Sequence, residues 1–211
     1  MSTAEWLMSV FCIILSLVSV VVTEAGGEMD RQEALESVEA NVESQNLIKH
    51  MLATEAIMRA LARRLGEDED VWGITGLLHD IDVELTEGDM NAHSRLGADL
   101  IREMGASEEM AHAVLCHNEA HGVPAETQLD KALLCADPLT GLITAGTLVM
   151  PDKKLASLKP KSVRKRFKEK SFAAGANREQ IAGCSELGIE LDEFIELGVA
   201  AMQEIAPSLG L

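Results

Sequence analysis

The heptapeptide GLLHDID, residues 76 to 82, sets a histidine and two aspartates at the end of a stretch that is otherwise apolar. From Val71 to Ile81 the chain is apolar nearly all round, which predicts a central, buried helix. Imidazoles and carboxylates are costly to bury unless something pairs with them. A chain built around this stretch must therefore fold so that other segments deliver partners to one interior point.

Those other segments read as helices. Residues 46 to 65, NLIKHMLATEAIMRALARRL, carry apolar or small groups at 47, 51, 54, 58, 61 and 65, a stripe of helical period, and Gly66 ends it. Further helices are expected over 31 to 41, 93 to 104, 107 to 121, 127 to 146, a short span after Asn177, and about 192 to 205. Ser107 serves as the N-cap of the third of these. Ala, Leu, Glu and Met are abundant, there is no Tyr, and aromatics are 3%. No stretch reads as a strand, so the expected fold class is all-α, a single helical bundle over residues 29 to 211.

Charge and cysteines narrow the function classes. A net charge of −17 argues against general affinity for nucleic acid, because a polyanion is repelled. Half of the 18 basic residues nevertheless lie between Lys153 and Lys170. On a helix, Lys161 and Lys165 share a side, so this segment is either a solvated face or a phosphate-binding element. Cys12, Cys116, Cys135 and Cys184 show no CxxC spacing and read as reduced thiols of a cytoplasmic domain. Residues 6 to 22, WLMSVFCIILSLVSVVV, are uncharged and at the short limit for a membrane span. They fit a membrane anchor, the core of a signal peptide, or an extension upstream of a start at Met29. No Lys or Arg precedes them.

The six histidines are His50, His79, His93, His112, His117 and His121. His50 shares its helical face with Leu47, Thr54, Ile57 and Leu61, a core-facing position. His117 and His121 are four apart and would be neighbours on one helix face. Asp137 interrupts the apolar run ALLCADPLTGLI. A metal ion makes such a buried set favourable, since neutral imidazole and ionised carboxylate are its natural ligands. Donors without thiolate suit Fe, Mn, Zn, Co or Ni, and the two oxygens of Asp80 could bridge two ions. His112 faces away from His117 and reads as structural, while Asp82 reads as capping or solvating the helix end.

The order His50, His79–Asp80, Asp137 resembles the HD-domain superfamily of metal-dependent phosphohydrolases, and His93 and His117 resemble the extra histidines of its two-metal, HDIG-type members. The likeness runs over about residues 30 to 205. The tetrad here is HDID, with Asp82 where glycine is usual. The resemblance implies one ion held by His50, His79, Asp80 and Asp137, and a second by His93 and His117 with His121 completing it, Asp80 bridging. It implies in-line hydrolysis of a small phosphorylated substrate, a nucleotide being the expected class, by water whose pKa two ions lower from 15.7 toward about 7. Lys161 and Lys165 would meet the substrate's phosphates. The same fold also serves di-iron oxygenases and non-catalytic ligand sensors, and the ligand set alone leaves the oxygenase alternative open.

Overall fold

In the computed structural model the structure describes residues 29–211, and among these every regular element is a helix. The apolar stretch 6 to 22 lies outside the described residues, as does every expectation placed on it. No helix among the described residues is long and apolar enough to cross a membrane.

Helix α1 (Arg31–Asn41) leads into α2 (Gln45–Leu65), which Gly66 closes in the left-handed conformation at φ 80°. Its N–H donates to the Ala62 carbonyl, satisfying one of the open carbonyls of the last turn. Helix α3 (Glu69–Leu78) starts on Asp68, whose side chain accepts from the Asp70 and Val71 amides. A cap of this kind contributes about 1 kcal/mol. α2 packs most extensively on α3. The approach is close at Gly76, where an added Cβ would stand 2.9 Å from Met58 Cγ and 3.1 Å from the Glu55 amide. Only glycine lets the two backbones meet there, and that contact brings the end of α3 up to the middle of α2.

Helices α4 (Arg95–Glu103) and α5 (Glu108–Cys116) pair with each other. α6 (Gln128–Leu148) opens with a capping box between Thr127 and Asp130 and is buried along most of its length. It touches both α2 and α5, and so crosses behind the site. α7 (Pro160–Phe167), α8 (Arg178–Ala182), α9 (Leu191–Glu204) and α10 (Ala206–Leu209) complete the chain. Met51, Ile57, Met58, Leu61, Leu77, Leu133, Leu139 and Phe194 are fully buried and form the centre of one core.

Two of the boundaries that differ from those read in the sequence bear on the site. α3 ends at Leu78 rather than Ile81, so His79 and Asp80 sit in the turn beyond it. α5 ends at Cys116, and a separate 3-10 turn covers Glu119–His121. The break is local chemistry: the Asn118 side chain accepts from the Ala120 amide and donates to the Met90 and His93 carbonyls. Side-chain bonds of this type compete with helix continuation. Of the basic segment, Arg164 pairs with Asp192 at 2.7 Å and Arg166 with Glu169 at 2.7 Å, while Val163 is buried against the body. The three described cysteines are buried thiols, and burial pushes Cys116 up to about 12 and Cys184 up to about 11.

Candidate metal centre

Four imidazoles meet around Asp80. His50 comes from the second turn of α2, His79 and Asp80 from the turn after α3, His93 from the turn before α4, and His117 from the end of α5. Asp80 Oδ2 lies 3.5 Å from His50 Nε2 and 3.3 Å from His79 Nε2. Its other oxygen, Oδ1, lies 3.4 Å from both His93 Nε2 and His117 Nε2. Asp137, on α6, places Oδ1 3.1 Å from His50 Nε2 and 3.9 Å from His79 Nε2. Two donor groups thus share one carboxylate: His50, His79 and Asp80 on one side, Asp80, His93 and His117 on the other.

The opposite edge of every ring is tied down. His79 Nδ1–H donates to the Gly76 carbonyl at 2.8 Å, and His117 Nδ1–H to the Val114 carbonyl at 2.5 Å. His93 Nδ1–H donates to Asp82 Oδ1 at 2.9 Å. His50 Nδ1–H donates to Thr140 Oγ1 at 2.9 Å, because the Thr140 hydroxyl is itself spent on the Asp137 carbonyl. With Nδ1 protonated in all four, every Nε2 points inward, as a lone pair in a neutral ring and as a donor to the carboxylates in a charged one. His50 Nε2 and His79 Nε2 are only 3.2 Å apart, so two lone pairs face each other unless a cation or a proton stands between them. Anchored Nδ1 and inward Nε2 is the arrangement that orients imidazole for a metal. The residues present fit divalent metal.

Charge around the cage says the same. Burial pulls the His50 pKa down, yet hydrogen bonds donated to Asp137 and Asp80, with the charges of those carboxylates, outweigh it and raise it to about 10. Burial would raise Asp80, but the charge of His79 and hydrogen bonds from His117, His50 and His79 hold it well below the usual carboxylate range. Asp137 is lowered too, burial opposing and His50 prevailing. The cage therefore attracts positive charge, and proton and metal compete for it.

Sequence reasoning missed Asp82. Expected at a solvated helix end, it is fully buried, and besides His93 it accepts the Ser94 amide at 2.7 Å and the Gly97 amide at 2.8 Å. It therefore caps the next helix, not its own, while orienting a ring of the cage. The signal was the departure at this position from glycine to a carboxylate inside an apolar run. Thr140, the anchor of His50, left no signal, because a threonine on a long helix is ordinary.

His121, expected to complete the second ion's ligands, does not join them. Once α5 stops at Cys116, His117 and His121 no longer share a helix face. Arg95 Nε–H donates to His121 Nδ1 at 3.0 Å, and His121 Nε2–H donates to the His93 carbonyl at 2.7 Å. Both nitrogens are engaged in holding the loop. Lys161 lines a shallow groove with Arg164 and Asp192, away from the cage, whereas Lys49, which the sequence reading passed over, lines a cavity of about 540 Å³ that reaches His50. A second hollow of about 320 Å³ reaches His50 and Asp137.

A helical scaffold presenting four inward imidazoles and two carboxylates defines a histidine–aspartate metal-binding domain. Residues 47–141 match the family model of the HD domain, and the chain carries an HD domain there. Asp80, Asp137 and the four imidazoles around them all fall inside the match. Over 98 residues the chain is 34% identical to a "Ribonuclease Y" from Oleidesulfovibrio alaskensis, covering 46% of this chain and 18% of that protein. It is 35% identical over 98 residues to one from Thermobifida fusca, covering 46% and 19%. Over 139 residues it is 27% identical to one from Sulfurovum, covering 64% and 27%. The shared region is thus between about a sixth and a quarter of each relative. No solved structure matches the chain significantly.

Proposed function

We propose that this chain is a metal-dependent phosphohydrolase, with His50, His79, Asp80 and Asp137 holding one divalent ion and Asp80, His93 and His117 the other. The observation that carries the proposal is the split carboxylate: each Asp80 oxygen faces its own pair of imidazoles at 3.3 to 3.5 Å. When bound, a pair of ions supplies Lewis-acid stabilisation of a phosphoryl group and an activated water. The chain's part is positioning. Asp80 is committed to both ion positions and so is not a free general base, and no serine, cysteine or threonine nucleophile is required.

The substrate is a small phosphate ester of nucleotide size. The cavity of about 540 Å³ at His50 is within the range of small-molecule sites. Asn46, Lys49, Thr140 and Thr144 line it, with Leu148 as an apolar wall. Lys49 offers a cation to a phosphate in a chain whose net charge repels a long polyanion. The ribonuclease relatives favour a phosphodiester of a short ribonucleotide over a monoester.

The test is a screen of the full chain supplemented with Mn, Fe or Co. Substrates are short oligoribonucleotides, nucleoside monophosphates and phosphate-ester dyes, with Asp80→Ala as the control. Hydrolysis that needs the metal and disappears in Asp80→Ala is expected. Metal-loaded protein with no turnover across the panel, or full activity in Asp80→Ala, would overturn the proposal.

A further inference from the structure

A second set of metal-ligating side chains lies outside this centre. His112 and Cys116 are four apart on α5, one turn and hence one face. Asp130 stands in the first turn of α6. A ring nitrogen of His112, the Cys116 sulfur and a carboxylate oxygen of Asp130 all lie within 4.8 Å of one another. Cys116 is 2% exposed and Asp130 0%, while the His112 side chain is 32% exposed.

The hydrogen bonding of Asp130 is lopsided. Its Oδ2 accepts from the Glu126 amide at 2.9 Å, the Thr127 amide at 2.9 Å and His112 Nδ1 at 3.0 Å. Its Oδ1 is buried and has no hydrogen-bond partner among the described residues. Oδ1 is the one buried side-chain polar atom among those residues in this condition, and such atoms call for a specific explanation. Capping of α6 accounts for Oδ2 alone.

We propose that His112, Cys116 and Asp130 form a separate binding site for a single zinc-like divalent cation, with water in the remaining position. Thiolate, imidazole and carboxylate together suit zinc or cobalt(II), and three protein ligands with one open position is an established zinc arrangement. The partly exposed edge of His112 supplies an entry path. The location gives the ion a structural consequence. Cys116 immediately precedes His117, and Asp130 lies two turns before Asp137 on α6. An ion here clamps together the two helices that deliver His117 and Asp137 to the dinuclear centre. The proposal does not depend on which reaction that centre performs.

Sulfur makes the two sites separable by spectroscopy, because the cage around Asp80 contains none. The full chain, stripped of metal, is titrated with cobalt(II). A thiolate-to-cobalt charge-transfer band in the near ultraviolet is expected, retained in Asp80→Ala and lost in Cys116→Ser. Asp130→Asn, which keeps shape and removes charge, should weaken the affinity read from that band by at least about tenfold. Absence of the band in the unaltered protein, or its persistence in Cys116→Ser, would overturn the site. Should Cys116→Ser fail to fold, an unchanged cobalt affinity in Asp130→Asn is equally fatal.

Discussion

Glu55 and Asp80 are both carboxylates withdrawn from water, and the chain treats them in opposite ways. Glu55 receives Arg31 in a two-pronged grip, at 2.6 and 2.8 Å, and Arg59 at 2.9 Å. Arg59 continues to Asp70 at 2.8 Å, so the network ties α1, α2 and α3 together and is complete within itself. Among the described residues Asp80 meets no arginine or lysine. It faces imidazole Nε2 atoms at 3.3 to 3.5 Å, each on a ring whose Nδ1–H is committed elsewhere. A buried charge matched by permanent cations is architecture; a buried charge ringed by oriented imidazoles is a set of metal donors. That contrast, rather than burial alone, separates structural from functional polarity in this fold.

The comparison can be broken in order of effect on the centre. Asp80→Ala removes the carboxylate shared by the two donor groups. Loss of about 4 kcal/mol of transition-state stabilisation, on the order of 10³-fold in kcat/KM, is expected together with most of the bound metal, measured by elemental analysis and steady-state kinetics. Asp82→Asn leaves the ligands in place but weakens the anchor of His93. Metal affinity should fall about 10- to 100-fold by chelator competition. An unchanged affinity would mean that Asp82 serves the α4 cap alone.

Acidity supplies a third handle. His50 holds its proton up to about 10, so a metal entering the cage must displace it. Apparent affinity should therefore rise with pH, by up to about tenfold per unit while one proton is released, and should level off above the His50 pKa. Calorimetry in buffers of different ionisation enthalpy reads that proton directly; affinity that is flat or declines with pH contradicts the competition. The smallest effect on the centre belongs to Glu55→Gln. Stability should drop by roughly 2–3 kcal/mol in denaturant unfolding, discounted because Arg31 is partly exposed, while metal content stays as it was. Loss of metal in this variant would erase the distinction between the two regions.

Much of the site was legible before any coordinates. His50, His79, Asp80, His93, His117 and Asp137 each stood in or beside an apolar helical pattern, where an unpaired polar group is expensive, and the structure brings all six together. Asp82, Thr140 and Lys49 were not legible, and His121 misled. Their roles depend on which atom of a neighbour is already engaged: Thr140 anchors His50 across 90 residues of sequence, and His121 is diverted by a carbonyl 28 residues away. The helix break at Asn118, which decided the fate of His121, depends on carbonyls at Met90 and His93 that no local window contains.

Periodicity, composition and the cost of burying charge are properties of short segments, and so an all-helical chain with a histidine–aspartate interior followed from the sequence by itself. Which oxygen of Asp80 turns to which pair of rings, and which nitrogen of each ring is free, are properties of packing between segments. Hydrogen bonds have direction and the hydrophobic effect has none, so only the assembled tertiary structure could decide them.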